Sequence, residues 1–159
     1  MKRSLLVSAL TLVLLVLLSG TTLASGKPVR VFIGGPFDVP VGSCPFPVTQ
    51  HLLINNEYIL IFTGDHPAII TGALKARITN DITGKGIDVN ISGPGFITEN
   101  ADGTTIVKLA GRSTLFLPDR PGLWLTSGAT TVVVGPTGNT VSLSLPNSAQ
   151  DLCLVLAAP

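Results

Sequence analysis

The chain has 159 residues, 45% of them apolar and 12% charged, and a formal net charge of +1. So small a net charge excludes a polybasic binder of nucleic acid or of a membrane surface, because both rely on excess Lys and Arg. The apolar share is too high for a disordered chain, and the length suits one folded domain.

Residues 1–24 read as a secretory signal peptide. Lys2 and Arg3 make a charged start, and Leu5 to Leu18 form an apolar run broken only by Ser8 and Thr11. Thr22-Leu23-Ala24 then offers the small residues of a cleavage site. Cleavage is expected after Ala24, with Ser25 and Gly26 as alternatives. The competing reading is a retained transmembrane anchor, but the run is about 14 residues against the roughly 20 that span a bilayer. Losing Lys2 and Arg3 leaves 8 Lys+Arg against 9 Asp+Glu, so the net charge passes from +1 to −1. No membrane association is expected of the mature chain.

Residues 25–43 carry Pro28, Pro36 and Pro40 with Gly34-Gly35 between them. Proline removes a ladder donor and fixes φ, so this stretch is expected as an extended arm, with Val29 to Ile33 able to pair along a sheet edge. Residues 44–159 form the remaining domain. Strands are expected at Val48 to Ile54 and Tyr58 to Phe62. Asp65-His66, between Gly64 and Pro67, reads as a turn. Leu74-Ala76-Ile78 and Ile87-Val89-Ile91 then alternate with polar residues, as two half-buried antiparallel strands require. The turn formers between them predict a hairpin that sets Arg77 opposite Asp88 on the solvent side.

The same pattern continues. Phe96 to Thr98 and Thr104 to Leu109 flank Asp102-Gly103, a strong hairpin signal. Ser113 to Leu117 is a further strand, and Trp124 falls on a short one near loops. Ala129 to Val134 and Thr140 to Leu145 flank a Gly/Pro turn, and Leu152 to Leu156 is expected as the last strand. Eight to ten short strands without a helical stripe predict an all-β fold, an antiparallel immunoglobulin-like β-sandwich. A closed β-barrel is the alternative.

Cys44 and Cys153 are the only cysteines. In an oxidising compartment an even pair reads as one disulfide, expected to join the first core strand to the last. A thiol nucleophile or a metal pair is the other use of such residues, but neither cysteine has C-x-x-C spacing or a nearby His.

The segments Cys44-Pro45-Phe46-Pro47-Val48, Thr79-Asn80-Asp81-Ile82-Thr83-Gly84-Lys85, Asn90-Ile91-Ser92-Gly93-Pro94, Gly111-Arg112-Ser113 and Asp151-Leu152-Cys153 resemble landmarks of small exported proteins of actinomycete-type bacteria. The resemblance spans most of residues 44–156. It implies export, a paired cystine and a β-sandwich, and it brings no activity and no catalytic residue.

Chemistry is sparse. No G-x-S-x-G nucleophile elbow occurs, and His51 and His66 are the only histidines. No metal-ligand spacing stands out, so neither metal nor cofactor is expected. A small hydrolase remains an alternative if Glu57, Glu99, Asp65 or His66 converge in one pocket. An extracellular protease inhibitor is another, presenting Arg120 on the loop Asp119-Arg120-Pro121-Gly122. The preferred expectation is a secreted, non-catalytic protein with a binding or structural role. Its candidate contact residues are Trp124, Tyr58 and Arg120, and its extracellular partner is unspecified.

Overall fold

The computed structural model describes residues 26–33, 38–41, 44–64, 66–117 and 119–157. The proposed leader, Gly34-Gly35-Pro36 and Asp65 lie outside them. In chain order the elements are β1 (Val29–Phe32), β2 (Asp38–Pro40), β3 (Val48–Asn55), β4 (Tyr58–Ile61), β5 (Ala68–Thr71), β6 (Leu74–Asn80) and β7 (Gly86–Asn90). There follow β8 (Gly95–Glu99), β9 (Thr105–Leu109), β10 (Arg112–Leu117), β11 (Arg120–Ser127), β12 (Thr130–Val134), β13 (Thr140–Ser144), β14 (Gln150–Asp151) and α1 (Leu152–Ala157). The fold is all-β and antiparallel, with sandwich-like layering. The fourteen strands among the described residues exceed the eight to ten expected, because short strands such as β2, β5 and β14 are too brief to show a period of their own.

The strands form three open sheets, ordered β1-β4-β5-β8-β9-β12-β13, β2-β3-β6-β7 and β10-β11-β14. No sheet closes on itself, so the barrel alternative falls. Two cores hold the layers together. The first joins Val48, Leu52, Ala76, Ile78 and Val89 of the four-stranded sheet to Leu123 and Leu125 of β11 and to Leu152 and Leu156 of α1. The second joins Leu115 and Leu117 of β10 to Val132 of β12, with Val107, Leu109 and Leu143 packed around them. The three-stranded sheet therefore serves both cores, β11 filling one and β10 the other.

The hairpins follow the sequence pattern closely. Arg77 pairs with Asp88 across β6 and β7, and the Arg77 Nη1 donates to Asp88 Oδ1 at 2.8 Å. In the β8–β9 turn Gly103 takes φ +82°, and the Asp102 carboxylate accepts the Thr104 N–H at 2.9 Å. A left-handed φ is what an L-residue avoids and glycine tolerates.

Leu152 to Leu156 is helical, not a strand. A strand would place residues 152, 154 and 156 on one face, yet Leu152 and Leu156 are fully buried while Leu154 is 72% exposed. The spacing of four between the buried leucines suits one helical face, and Asp151 Oδ1 caps the start by accepting the Cys153 N–H at 2.8 Å. The last turn is tied down by Asn80, itself buried, whose Nδ2 donates to the Leu156 carbonyl at 3.3 Å.

The Cys44–Cys153 disulfide is present, with Cα atoms 5.3 Å apart. It joins the loop before β3 to α1 rather than one strand to another, because the chain around Cys153 has turned helical.

Candidate functional site

The bulk of the first core leaves two shallow grooves on the surface beside the cystine. One, of about 570 Å³, runs along Pro40, Val41, Cys44, Pro47 and Thr49 to Asp81. The other, of about 360 Å³, lies between Pro121 and Gly122 at the start of β11 and Asp151, Cys153, Leu154 and Ala157 around α1. Pro45 and Phe46 line both, so this dipeptide forms the ridge between them.

The ridge is held by chemistry already in the sequence. Prolines on both sides of Phe46 restrict its backbone, and the neighbouring disulfide anchors the ridge to α1. Two carboxylates at the groove walls are engaged. Asp151 caps α1, and Asp81 Oδ2 accepts the Thr49 Oγ1 hydroxyl at 2.9 Å. The remaining wall of the second groove is mostly apolar, with the exposed Leu154 on its rim.

Trp124 and Arg120 lie near this region. Arg120 pairs with Leu117 at the first position of β11, and Pro121 and Gly122 continue that strand, so Asp119-Arg120 sits where the β10–β11 hairpin turns. The turn is braced from β13. Asp119 accepts both the N–H and the hydroxyl of Thr140, at 2.7 and 2.6 Å. These hydrogen bonds from Thr140 hold the Asp119 carboxyl below the usual range. The half-buried Trp124 packs over Gly122, where an added Cβ would fall 2.5 Å from the ring carbons Cζ2 and Cη2. Trp124 thereby supports the backbone of the groove wall.

Tyr58 is elsewhere, on β4. Its ring lies under the Arg30 guanidinium, 3.7 Å from carbon to ring centroid, in a cation–π contact across β1 and β4. The sequence contains both residues but does not show that β1 folds against β4.

Among the described residues considered for hydrolysis, Glu57, Glu99 and His66 do not converge in one pocket. Glu57 lines a cavity of about 150 Å³ between the sheets, with Ile70, Ile97, Val107 and Leu109. Burial pushes its carboxyl above the ordinary value. His66 borders a separate hollow of about 320 Å³ with Phe62, Pro67 and Ile69. The pairing of Ala68 with Ile97 puts His66 and Glu99 at one end of the β5–β8 pair. Glu57, beside the Tyr58–Thr71 pair, is at the other end of β5.

His51 belongs to an arrangement that sequence reading missed. Cross-strand register lines up Asp38, His51, Arg77 and Asp88 as one exposed row over the four-stranded sheet. His51 Nδ1 and Asp38 Oδ1 are 2.5 Å apart. Only the Arg77–Asp88 half was legible, because β2 reaches the sheet from the proline arm. Among the described residues no group of three or more His, Cys, Asp or Glu side chains is placed to hold a metal ion.

The chain matches no known family profile, no curated protein and no solved structure.

Proposed function

We propose that the protein is exported, that residues 1–24 are removed as a signal peptide, and that the mature chain is a non-catalytic extracellular binding protein. In this reading the sandwich works as immunoglobulin-like domains do, as a rigid frame with recognition at its loops and edges. The contact surface is the pair of grooves beside the Pro45-Phe46 ridge, and the ligand presents an apolar face to the second of them. The observation that carries the reading is the disulfide between Cys44 and Cys153, placed at these grooves. A disulfide persists in oxidising compartments, and it fixes a surface whose walls are prolines, Phe46 and Leu154.

Apolar walls with few polar groups are the usual lining of a ligand groove. Titration with a neutral apolar dye such as Nile red tests the surface. The protein is expected to bind the dye, and Leu154→Asp to weaken binding about tenfold by putting a charge on the rim. Equal binding by the two proteins would contradict the assignment.

A further inference from the structure

The strands β1, β4 and β5 are built almost wholly of apolar residues, yet none of their residues is fully buried. Near-continuous apolar strands are those of a sheet covered on its faces. Here Val29 is 61%, Val31 43%, Phe32 58%, Ile33 38% and Ile61 46% exposed. β1 is also the last strand of its sheet, and among the described residues nothing pairs with its outer edge.

The free hydrogen-bonding groups of that edge can be assigned. The Ile33 N–H donates to the Glu57 carbonyl at 3.1 Å, so Ile33 bonds inward toward β4. Antiparallel ladders alternate, so Val31 and Val29 bond inward too, and Arg30 and Phe32 turn their N–H and C=O outward. An exposed apolar edge of this kind is a template for another strand, and natural proteins usually guard it with charge. The one charge within β1, Arg30, is instead drawn over Tyr58.

We propose that this edge pairs with β1 of a second copy of the chain, antiparallel and centred on Val31, to give a two-fold dimer with a continuous sheet. The register follows from self-complementarity. With Val31 opposite itself, Arg30 faces Phe32 of the second copy, and these two outward-bonding residues exchange both main-chain hydrogen bonds. Val29 faces Ile33 of the second copy, and the Arg30 guanidinium gains a second aromatic neighbour beside Tyr58. Centring on Arg30 would oppose two like charges and set Phe32 against Pro28, which has no N–H to give. Centring on Phe32 would carry the pairing beyond the strand. Edge pairing covers the flanks of the exposed β1 side chains and no second sheet face, which is less than the ~800 Å² per partner of a standard interface, so the dimer is a weak, reversible one.

The test is sedimentation equilibrium of the oxidised protein from micromolar to millimolar concentration, alongside Val31→Lys, Val31→Cys and Arg30→Cys. The protein is expected to dimerise reversibly. Val31→Lys should stay monomeric with an unchanged circular dichroism spectrum, since Val31 is exposed. On mild oxidation Val31→Cys should form a covalent dimer, because residues directly opposite lie within the roughly 4.4–6.8 Å that a disulfide spans. Arg30→Cys should not, being displaced along the strand from its own copy. A monomer at every concentration, dimerisation of Val31→Lys like that of the parent, or cross-linking through Arg30→Cys in place of Val31→Cys would each overturn the proposal.

Discussion

Cys44 and Cys153 stand 109 residues apart in the chain and are bonded to each other, so one covalent link closes the path from the loop before β3 to α1. In the chain-entropy account a loop of about 100 residues contributes roughly 4.7 kcal/mol, an upper figure because engineered bonds often deliver less. The bond also holds α1, whose six residues are too few for a stable isolated helix. Its buried Leu152 and Leu156 belong to the first core.

Replacing both cysteines by Ala should therefore destabilise the protein by about 2–5 kcal/mol. Urea unfolding of the oxidised protein and the double variant would measure it. Hydrogen exchange should show the largest loss of protection in α1 and β11. An unchanged midpoint would mean that packing alone holds α1 in place.

Glu57 faces an apolar cavity, and burial raises its carboxyl above the ordinary 4.5. The folded state therefore holds the proton more tightly than the unfolded one. The sign is the reverse of the usual salt-bridged acid: Glu57 favours folding most at low pH, and this is lost as pH rises through its folded pKa. Glu57→Gln should raise the melting temperature at pH 7 by about 2 °C and leave it nearly unchanged near pH 4. Thermal scans at the two pH values would show it, and an equal gain at both would discount the ionisation.

Gly122 takes φ +119°, and an added Cβ would meet the Trp124 ring at 2.5 Å. Gly122→Ala should cost about 1–3 kcal/mol for the backbone alone and displace the indole. Trp124 is the sole tryptophan, so a shift in its emission reports that displacement directly. The same variant should weaken dye binding in the groove that Gly122 lines.

Local order was legible and long-range order was not. The Arg77–Asp88 pair and the Asp102-Gly103 turn rest on alternation and turn chemistry within about a dozen residues, where sequence and structure are tightly coupled. The strand β5, Ala68-Ile69-Ile70-Thr71, is a four-residue run without polar alternation, and it hid beside a turn. The run Leu152 to Leu156 is apolar throughout, which suits a buried strand or a buried helix equally by composition. Its capping by Asp151 and its contact with Asn80 decide between them, and the second comes from 76 residues upstream. The grooves were hidden for the same reason, since Pro45, Pro121 and Leu154 meet only after α1 docks.

Thr130 is 1% exposed, and its hydroxyl has no hydrogen-bond partner among the described residues. An unsatisfied buried hydroxyl costs about 1–3 kcal/mol, and an apolar group of the same shape removes that cost. Thr130→Val should stabilise the protein by about 1 kcal/mol, read from urea midpoints. A loss of stability would indicate that the hydroxyl is satisfied in solution.

The proposed export and the Cys44–Cys153 disulfide can be checked together. Intact-mass spectrometry of the protein recovered from the culture medium of a secreting host tests them most directly, with alkylation to count thiols. The expected chain begins at Ser25, with both cysteines protected from alkylation until a reductant is added. A full-length chain retained with the cells, carrying two alkylated cysteines, would contradict both.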